Sequence, residues 1–485
     1  MKRVLCWSTM MCLLATPVGA ENPKFAAAEA KARALVEGWS KGAFAESVEM
    51  FDPTMVQAMP VSKIEGLWGQ LTSQLLGFKT ITGTASKQTG PYLQVRVSCT
   101  FGMQAMDILV IMNDSGQVSG LRVVPPLVVA SARPQTPKPP FPYSARDVLY
   151  PNPFDGSKIG GTLTIPPGKG PHPAVLLITG SGAQDRDETI FEHKPFWVIA
   201  DHLSRAGFAV LRVDDRGVGA TTGDATKATI QVHATDVEAG VAFLTQQPEV
   251  DGGRIGLIGH SEGGIIASIV AARQSAVRFI VLLAGPGVPG TVLNVQQVDA
   301  LLPAESREAP GARKAVLAAQ SALNAAIAGD RPDGEIRSLL EAALAAGDAL
   351  SGPKGVALTP ESRAQRLEAQ YQAVRKPWFR SFLKTDPAVA LRQVKVPVLA
   401  LVGEKDIQVP AKQNLAAIGH ALAVAGNGDV ELHALPGLNH LFQKAETGHV
   451  REYETITETF NPGALALMTQ WLRVRARLEK ADQKN

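Results

Sequence analysis

From residue 143 onward, short apolar segments alternate with longer segments in which apolar residues recur every three or four positions. The short segments are apolar along their whole length, which predicts strands buried on both faces, and the longer ones predict helices that cover them. This order indicates an α/β fold with a mostly parallel, doubly wound sheet. The predicted strands are residues 161–165, 174–178, 209–213, 255–258, 279–283, 396–402 and 430–434, and the predicted helices include 196–206, 232–245 and 462–478.

The alternation is interrupted between about residues 288 and 380, where the chain is rich in alanine and the pattern is helical throughout. Residues 315–328 and 336–349 have the clearest amphipathic spacing. An all-helical insertion in an α/β domain is most simply a cap over the ends of the strands. The strand and helix order resumes at residue 396, and Asn461 is the predicted N-cap of the last helix.

The part of the chain before the prolines has helices first and strands afterwards. Residues 25–37 and 61–77 have helical spacing, whereas 92–101 and 106–112 have the pattern of strands. Helices followed by antiparallel strands predict a small α+β domain over residues 21–124. This order resembles the cone-shaped, nuclear-transport-factor-like domains found in front of some secreted hydrolases, and the resemblance implies a scaffold or a partner surface.

Seven prolines between residues 125 and 142 separate this domain from the next. Proline fixes φ and removes a hydrogen-bond donor, so the segment is predicted to be an extended, semi-rigid linker. The second domain is predicted to span residues 143–485.

The first twenty residues have the layout of a secretory signal peptide, with Lys2 and Arg3, an apolar run over residues 4–14 and small residues at 18–20. Removal of residues 1–20 would leave an exported protein, periplasmic or extracellular. No other segment approaches the roughly 20 apolar residues of a membrane span, so no stable membrane insertion is predicted.

The composition narrows the function classes further. Of the three cysteines, only Cys99 lies outside the predicted signal peptide, so no internal disulfide is expected. Loss of Lys2 and Arg3 would leave 46 basic residues of 48 against 45 acidic residues, a net charge of +1 that does not support a nucleic-acid partner. The chain has no His-Glu-x-x-His segment and no cysteine pair, so no metal site and no cofactor are predicted.

Residues 255–265 carry the strongest chemical signal, because a predicted strand runs into Gly-x-Ser-x-Gly and then into a predicted helix. This context is that of a nucleophile elbow, a sharp turn that presents a serine hydroxyl above the sheet. Gly259 and Gly263 are needed because side chains there would clash with the neighbouring strand and helix. Ser261 is therefore the candidate nucleophile, and the backbone N–H of Glu262 is a candidate oxyanion donor.

A serine nucleophile requires a base and an acid that orients the base. In α/β sheets such groups gather outside the carboxyl ends of the strands. Asp406 and His440 each follow a predicted strand, in the chain order serine, acid, histidine. Asp406 could instead cap a helix or be a solvated acid, in which case Glu404 is the alternative. His260, beside the nucleophile, is interpreted as a structural histidine with satisfied hydrogen bonds.

The loop after the predicted strand 174–178 is rich in glycine, which lets backbone N–H groups approach a substrate oxygen. Ser181 or Gly182 is the predicted second oxyanion donor. A phosphate-binding loop is the competing interpretation, but no Gly-Lys-Ser or Gly-Lys-Thr follows. The charged residues of segment 214–219 are predicted to form an ion-pair network rather than to touch substrate.

Seven segments together resemble the secreted serine esterases and serine-aminopeptidase-like enzymes of the α/β-hydrolase superfamily. They are residues 180–188, 193–196, 214–219, 259–264, 378–380, 403–406 and 437–440. The resemblance covers residues 143 to about 478 and implies a carboxylesterase with a Ser261, His440 and Asp406 triad, an acyl-enzyme intermediate, a small-molecule ester substrate and no cofactor. The chain departs from many relatives at Thr179, where they have histidine before glycine, and this leaves the second oxyanion donor open.

Two other functions remain open at this point. An aminopeptidase would need an acidic site near the cap to hold a free α-amine, and Glu341, Glu361 or Glu368 could supply it. A non-catalytic binding protein on the same scaffold is opposed by the presence of all three candidate catalytic residues. The sequence also leaves a homo-oligomer open.

Aromatic residues cluster where the predicted cap returns to the sheet, at Tyr371, Trp378, Phe379 and Phe382. Rings at this place could form a wall of the acyl or alcohol pocket above Ser261. The alternative is that they hold the cap to the core. Trp378, Phe379 and Phe382 are predicted to line the substrate pocket.

Overall fold

The computed structural model describes residues 23–75, 77–89, 92–101, 105–124, 133–302, 309–351 and 360–478. The predicted signal peptide (1–20) and residues 125–132 of the predicted linker lie outside these ranges. The described residues form two compact units, one built on residues 23–124 and the other on the chain from Arg133 onward. Within the described ranges, no helix combines the length and the apolar character that a membrane crossing requires.

The first unit has helices followed by an antiparallel sheet whose strands lie in chain order. Its described helices are α1 Pro23–Ser40, α2 Phe44–Val48, α3 Pro53–Ala58 and α4 Val61–Gln74, and its strands are β1 Phe78–Thr89, β2 Tyr92–Phe101, β3 Ala105–Met112 and β4 Val118–Val124. The rings of Trp39, Trp68 and Phe101 pack in its core, with centroids 5.8 to 6.0 Å apart. A small α+β domain is therefore present, as the helix-then-strand pattern predicts.

The second unit contains an eight-stranded sheet in the order β12-β11-β10-β9-β7-β8-β6-β5. Strands β5 and β6 are antiparallel to their neighbours, and the other six run parallel. The strands are β5 Ser144–Pro151, β6 Lys158–Ile165, β7 His172–Ile178, β8 Ala209–Val213, β9 Val250–His260, β10 Val277–Leu283, β11 Val398–Gly403 and β12 Val430–Leu435. This arrangement confirms the predicted α/β class with a mostly parallel sheet.

Helices cover both faces of this sheet. Those between the strands are α5 Pro195–Arg205, α6 Ile230–Thr245, α7 Glu262–Arg273 and α14 Ala411–Val424, and α15 Pro462–Arg475 follows the last strand. Between β10 and β11 lie α8 Gly290–Leu301, α9 Pro310–Ala328, α10 Asp333–Ser351, α11 Pro360–Val374, α12 Pro377–Lys384 and α13 Pro387–Leu391. The predicted helical insertion is therefore helical over its described residues.

The two faces explain why the strands are apolar along their whole length. In β7, Leu176 and Ile178 belong to a core shared with α6, α7 and the inserted helices, whereas Val175 and Leu177 belong to a core shared with α5 and α15. Successive side chains of a strand point to opposite faces, so every residue of β7 after His172 is buried. Parallel strands also bring their carboxyl ends to one edge of the sheet, where the candidate catalytic loops begin.

Residues 133–142, the described part of the predicted linker, belong to the second unit. Arg133 donates hydrogen bonds to the carbonyl oxygens of Phe191 at 2.7 Å and Ile456 at 2.6 Å. Gln135 donates to the carbonyl oxygen of Phe460 at 2.7 Å. Side-chain hydrogen bonds thus hold this segment against the second unit.

Candidate active site

Ser261 lies at the junction of β9 and α7, with φ 53° and ψ −118°. A non-glycine residue at positive φ is strained, and the surrounding packing holds it in that conformation. A Cβ atom on Gly259 would lie 2.1 Å from the Gly263 carbonyl oxygen, and one on Gly263 would lie 2.2 Å from the Ile178 carbonyl oxygen. Both glycines are therefore required by close backbone contacts, and the turn has the geometry expected of a nucleophile elbow.

Asp406 and His440 meet on loops that follow β11 and β12. Asp406 Oδ2 lies 2.7 Å from His440 Nδ1, and Oδ1 accepts the backbone N–H groups of Gln408 and Val409, each at 2.8 Å. Both side chains are buried, at 0% exposure for Asp406 and 5% for His440. Because the carboxylate only accepts, Nδ1 of His440 carries the hydrogen and Nε2 is left as the basic nitrogen.

The candidate base His440 contacts the elbow through its backbone carbonyl group. His260, which precedes Ser261, has its Nε2 3.1 Å from the His440 carbonyl oxygen, and the two imidazole rings are 4.9 Å apart. Among the described residues, no hydrogen bond joins Ser261 Oγ to the His440 ring. Such bonds are often long in the absence of substrate and shorten when it binds.

The loop after β7 is anchored at both ends by one acid, Asp215. Thr179 Oγ1 donates to Asp215 Oδ1 at 2.8 Å, and the backbone N–H of Gln184 donates to Asp215 Oδ2 at 2.9 Å. Ser181 and Gly182 lie between these anchors, and no partner for their N–H groups occurs among the described residues. The two amides that the sequence predicts as oxyanion donors are therefore free to bind a substrate oxygen.

Gly180 is not available as such a donor, because its N–H donates to Glu188 Oε1 at 2.6 Å. The same oxygen lies 2.8 Å from His260 Nδ1. Glu188 is 4% exposed and His260 is 7% exposed, so this pair is buried behind the elbow. His260 thus has both ring nitrogens in hydrogen bonds, as its interpretation as a structural histidine requires.

Glu262 opens α7, so its backbone N–H has no partner within the helix and remains a candidate oxyanion donor. Its side chain is 4% exposed, and Oε2 accepts the indole N–H of Trp378 at 2.6 Å. Burial raises the pKa of Glu262 to about 7. Through the bond from Trp378, helix α12 of the insertion contacts the residue that follows the nucleophile. Burial also raises the pKa of Asp215 to about 8, and Glu262 and Asp215 both line a cavity next to Gly180.

The predicted pocket aromatics occupy different environments. Trp378 is half-buried, and its ring stacks on Phe382 with centroids 5.9 Å apart, while Phe379 is 6.1 Å from Trp378. Phe382 is 8% exposed and belongs to the main core, and Phe379 packs against that core. Tyr371 lies between the guanidinium groups of Arg337 and Arg375, at 4.9 and 5.4 Å. Trp378 is the member of this group that reaches the elbow.

The candidate amine-binding acids do not converge on the elbow. Glu341 and Glu368 are exposed, and Glu368 forms an ion pair with Arg337 at 2.8 Å. The side chain of Glu361 lies outside the described part of the chain. In the described ranges, His, Cys, Asp and Glu side chains form no group of three or more that could hold a metal ion.

The charges after β8 form the predicted network. Asp214 pairs with Arg186 at 2.6 Å, and Arg216 pairs with Asp236 at 2.7 Å and with Asp155 at 2.5 Å. Asp215 differs, because it holds the oxyanion loop instead of a cation. Asp215 and Glu188 belong to segments that resemble family motifs, 214–219 and 180–188, but nothing in the sequence distinguished them from the charged residues beside them.

Comparisons with known proteins identify the family of the chain. The family model described as alpha/beta hydrolase fold matches residues 173–445, more than half of the chain. Esterase EstD of Thermotoga maritima is 26% identical over 431 residues, which cover 87% of this chain and 90% of the esterase. A match of that length is longer than the second unit, so it extends into the first.

Other matches are shorter or more distant. Human acyl-coenzyme A thioesterase 1 is 28% identical over 133 residues, which cover 27% of this chain and 28% of the thioesterase. Among solved structures, the Pyrococcus furiosus esterase Pf2001 is 17% identical with a TM-score of 0.42, and the match covers 69% of this chain and 92% of that chain. The alpha/beta hydrolase GrgF from Penicillium is also 17% identical with a TM-score of 0.42, over 69% of this chain and 99% of that chain.

Proposed function

The chain belongs to the α/β hydrolase fold family and is an esterase-like hydrolase, and from this premise we propose that it cleaves carboxylic esters with a Ser261, His440 and Asp406 triad. The observation that carries the proposal is the 2.7 Å contact between Asp406 Oδ2 and His440 Nδ1, formed by buried side chains from two strand-end loops. It leaves His440 Nε2 as a base for a serine held on a strained elbow.

In the proposed reaction, His440 Nε2 takes the Ser261 proton as the hydroxyl oxygen attacks the ester carbonyl. The resulting oxyanion accepts hydrogen bonds from the N–H groups of Glu262 and of Ser181 or Gly182. The imidazolium then gives its proton to the departing alcohol, and the acyl group remains on Ser261. Water, deprotonated by His440 Nε2, attacks the acyl-enzyme carbonyl, and the acid is released as the bond to Ser261 breaks and His440 returns the proton to the serine oxygen, so no cofactor is needed.

The test is the turnover of short nitrophenyl esters by Ser261→Ala. Loss of the nucleophile in such a triad is expected to lower kcat on the order of a millionfold. Ser268→Ala is the matched control, because Ser268 lies buried on the same helix with its hydroxyl bonded to the Gly264 carbonyl oxygen at 2.9 Å, away from the triad. A Ser261→Ala enzyme that keeps more than about a hundredth of wild-type turnover contradicts the proposal.

A second substrate class is favoured by one observation, the similarity to proteins named acyl-coenzyme A thioesterases. The same triad can attack a thioester carbonyl, so the acyl-enzyme would be identical. Nitrophenyl and coenzyme A esters of one acyl chain should be compared by kcat/KM. A preference for the thioester of about tenfold or more would replace the oxygen ester as the proposed substrate.

Peptide cleavage is the weaker alternative, because Glu341 and Glu368 are exposed and do not form an amine site at the elbow. Aminoacyl nitroanilides hydrolysed as fast as nitrophenyl esters would nevertheless favour an aminopeptidase.

For localisation, we propose export after cleavage of residues 1–20. N-terminal sequencing of the mature protein should begin at Glu21, and an intact Met1 in the exported fraction would contradict cleavage.

A further inference from the structure

A second buried pair of carboxylate and imidazole lies directly behind the candidate triad. Glu188 Oε1 is 2.8 Å from His260 Nδ1, and both side chains are less than a tenth exposed. Among the described residues, no hydrogen bond joins the pair to the proposed nucleophile oxygen or to the proposed oxyanion donors. It therefore has no part in the reaction steps described above, although His260 precedes Ser261 in the chain.

The hydrogen bonds of His260 define its protonation state. Its Nε2 faces the His440 carbonyl oxygen at 3.1 Å, and a carbonyl oxygen can only accept, so Nε2 carries a hydrogen. Its Nδ1 faces Glu188 Oε1, which also accepts the Gly180 N–H at 2.6 Å. An ionised Glu188 can only accept, and Nδ1 then carries a hydrogen as well, so that the pair consists of an imidazolium and a carboxylate.

The electrostatic surroundings agree with this assignment. Burial alone would lower the pKa of His260, because it disfavours the charged ring. The adjacent Glu188 carboxylate and its hydrogen bond outweigh burial, and the pKa of His260 is raised. Removal of either partner would leave the other charge buried without its counter-ion, which is costly in such an environment.

The contacts of the pair connect the three segments on which the proposed reaction depends. Glu188 holds Gly180, the residue before the candidate donor Ser181, and His260 holds the backbone of the base His440. A Cβ atom built on Gly180 would lie 3.3 Å from Ser261 Cβ, so the oxyanion loop passes directly over the nucleophile. Movement of Gly180 or His440 would change distances at the reacting atoms.

We propose that Glu188 and His260 act as one charged positioning unit, which holds the oxyanion loop and the backbone of His440 in place around Ser261. The inference rests on the proposed triad and adds to it two residues that act through others. A displacement of about 1 Å in catalytic groups is enough to cost about a hundredfold in rate. The unit is thus expected to affect kcat far more than substrate binding.

The first experiment is a double-mutant cycle on kcat with Glu188→Gln, His260→Gln and the double variant. Glu188→Gln keeps an oxygen for the Gly180 N–H and removes the charge. Each single variant is expected to lower kcat by about a hundredfold with KM changed less than about twofold. If the two act as one unit, the double variant loses no more than about threefold beyond the worse single variant.

The matched control is Asp236→Asn, which also removes the charge of a carboxylate in the second compact unit, one that is paired with the buried guanidinium of Arg216. It is expected to lower the melting temperature and leave kcat unchanged. If Glu188→Gln behaves like this control, with a lowered melting temperature and wild-type kcat, the pair is purely structural and the inference is wrong. Additive losses in the cycle would likewise overturn the single-unit assignment.

A measurement on the wild-type protein covers the case in which the variants do not fold. In protein labelled with ¹⁵N-histidine, both ring nitrogens of His260 should be protonated at neutral pH, and a neutral His260 ring overturns the inference. Failure of the proposed function is distinguishable, because it would appear as activity retained in Ser261→Ala. Loss of activity in Ser261→Ala together with unchanged kcat in Glu188→Gln would reject the positioning unit alone.

Discussion

At the scale of single residues, Asp406 is the acid whose environment is most completely defined. One oxygen accepts two backbone N–H groups and the other faces His440, so the carboxylate cannot rotate without losing hydrogen bonds. A carboxylate held in this way fixes the tautomer of the imidazole as well as its orientation. Catalysis should therefore depend both on the negative charge of Asp406 and on its ability to accept a hydrogen bond from His440 Nδ1.

Asp406→Asn is expected to lower kcat by about ten thousandfold with the protein still folded, because the amide N–H₂ favours the wrong imidazole tautomer. Turnover of a nitrophenyl ester and a thermal melt measure the two quantities. Glu404→Gln is the control, since Glu404 is exposed and was the alternative acid in the sequence. A loss in Glu404→Gln that exceeds the loss in Asp406→Asn would reverse the assignment.

Glu262 gives a prediction about pH. Its pKa is raised by burial from the ordinary 4.5 to about 7, so the folded state binds more protons than the unfolded state between these values. Stability consequently falls as the pH rises through this window. Relative to Glu262→Gln, the wild-type free energy of unfolding should decrease by roughly 3 kcal/mol from pH 4.5 to 7 and then remain level.

Denaturant unfolding of both proteins across this range measures the difference. The glutamine cannot titrate, whereas all other titrating groups are the same in both proteins. Their contributions therefore cancel in the difference between the two free energies of unfolding. A wild-type stability that stays level or rises relative to the variant from pH 4.5 to 7 would show that the pKa of Glu262 is not raised in the folded protein, contrary to the effect of its burial.

Single residues also mark the limit of what the sequence could predict. Ser261, Asp406 and His440 stand out because each follows a strand and belongs to a spacing pattern. Glu188 and Asp215 do not, because their roles depend on contacts with Gly180, Thr179 and His260 that only the folded chain creates. The adjacency of His260 to the nucleophile was the one sequence feature that could have drawn attention to the pair.

At the scale of elements, prediction succeeded where burial gives a strong pattern. The central strands β7, β8, β9 and β10 are buried on both faces, and the apolar runs identify them. The edge strand β5 was missed because most of its side chains are exposed, and its sequence contains Arg146 and Asp147 instead of an apolar run. Strand β1 was missed for the same reason, since it is largely exposed and polar.

Helix α12 is the element that joins the insertion to the elbow, through the bond from Trp378 to Glu262. Trp378→Ala is expected to change the ratio of kcat/KM between long and short nitrophenyl esters by about 1 to 3 kcal/mol, because the half-buried ring lies beside the residue after the nucleophile. Phe382→Ala is the comparison, since that ring is buried in the core.

We expect the two variants to lose different properties, substrate preference in Trp378→Ala and stability in Phe382→Ala. Phe382→Ala is expected to lower stability by about 3 to 5 kcal/mol and leave the chain-length ratio unchanged. A thermal melt and an ester series on both proteins separate the two effects. An unchanged ratio with a lowered melt in Trp378→Ala would show that Trp378 only holds the insertion and would remove it from the predicted pocket.

At the scale of the whole molecule, the chain combines an α+β unit with an α/β hydrolase unit. The class of each was predictable because helix and strand periods change along the chain in a regular order. The ends of the helices were less predictable, as in the last helix, which ends at Arg475 and not near residue 478. The attachment of Arg133 and Gln135 to the second unit was not predictable, because it depends on carbonyl groups more than 300 residues away.

The central claim is that this molecule works through a covalent acyl-enzyme on Ser261. An irreversible fluorophosphonate label, followed by proteolysis and mass spectrometry, tests it most directly, because the label reacts with a serine activated by its base. The expected result is one modified peptide containing Ser261, with labelling abolished in Ser261→Ala and strongly slowed in His440→Gln. A label located on any other residue, or labelling that persists in Ser261→Ala, would contradict the account.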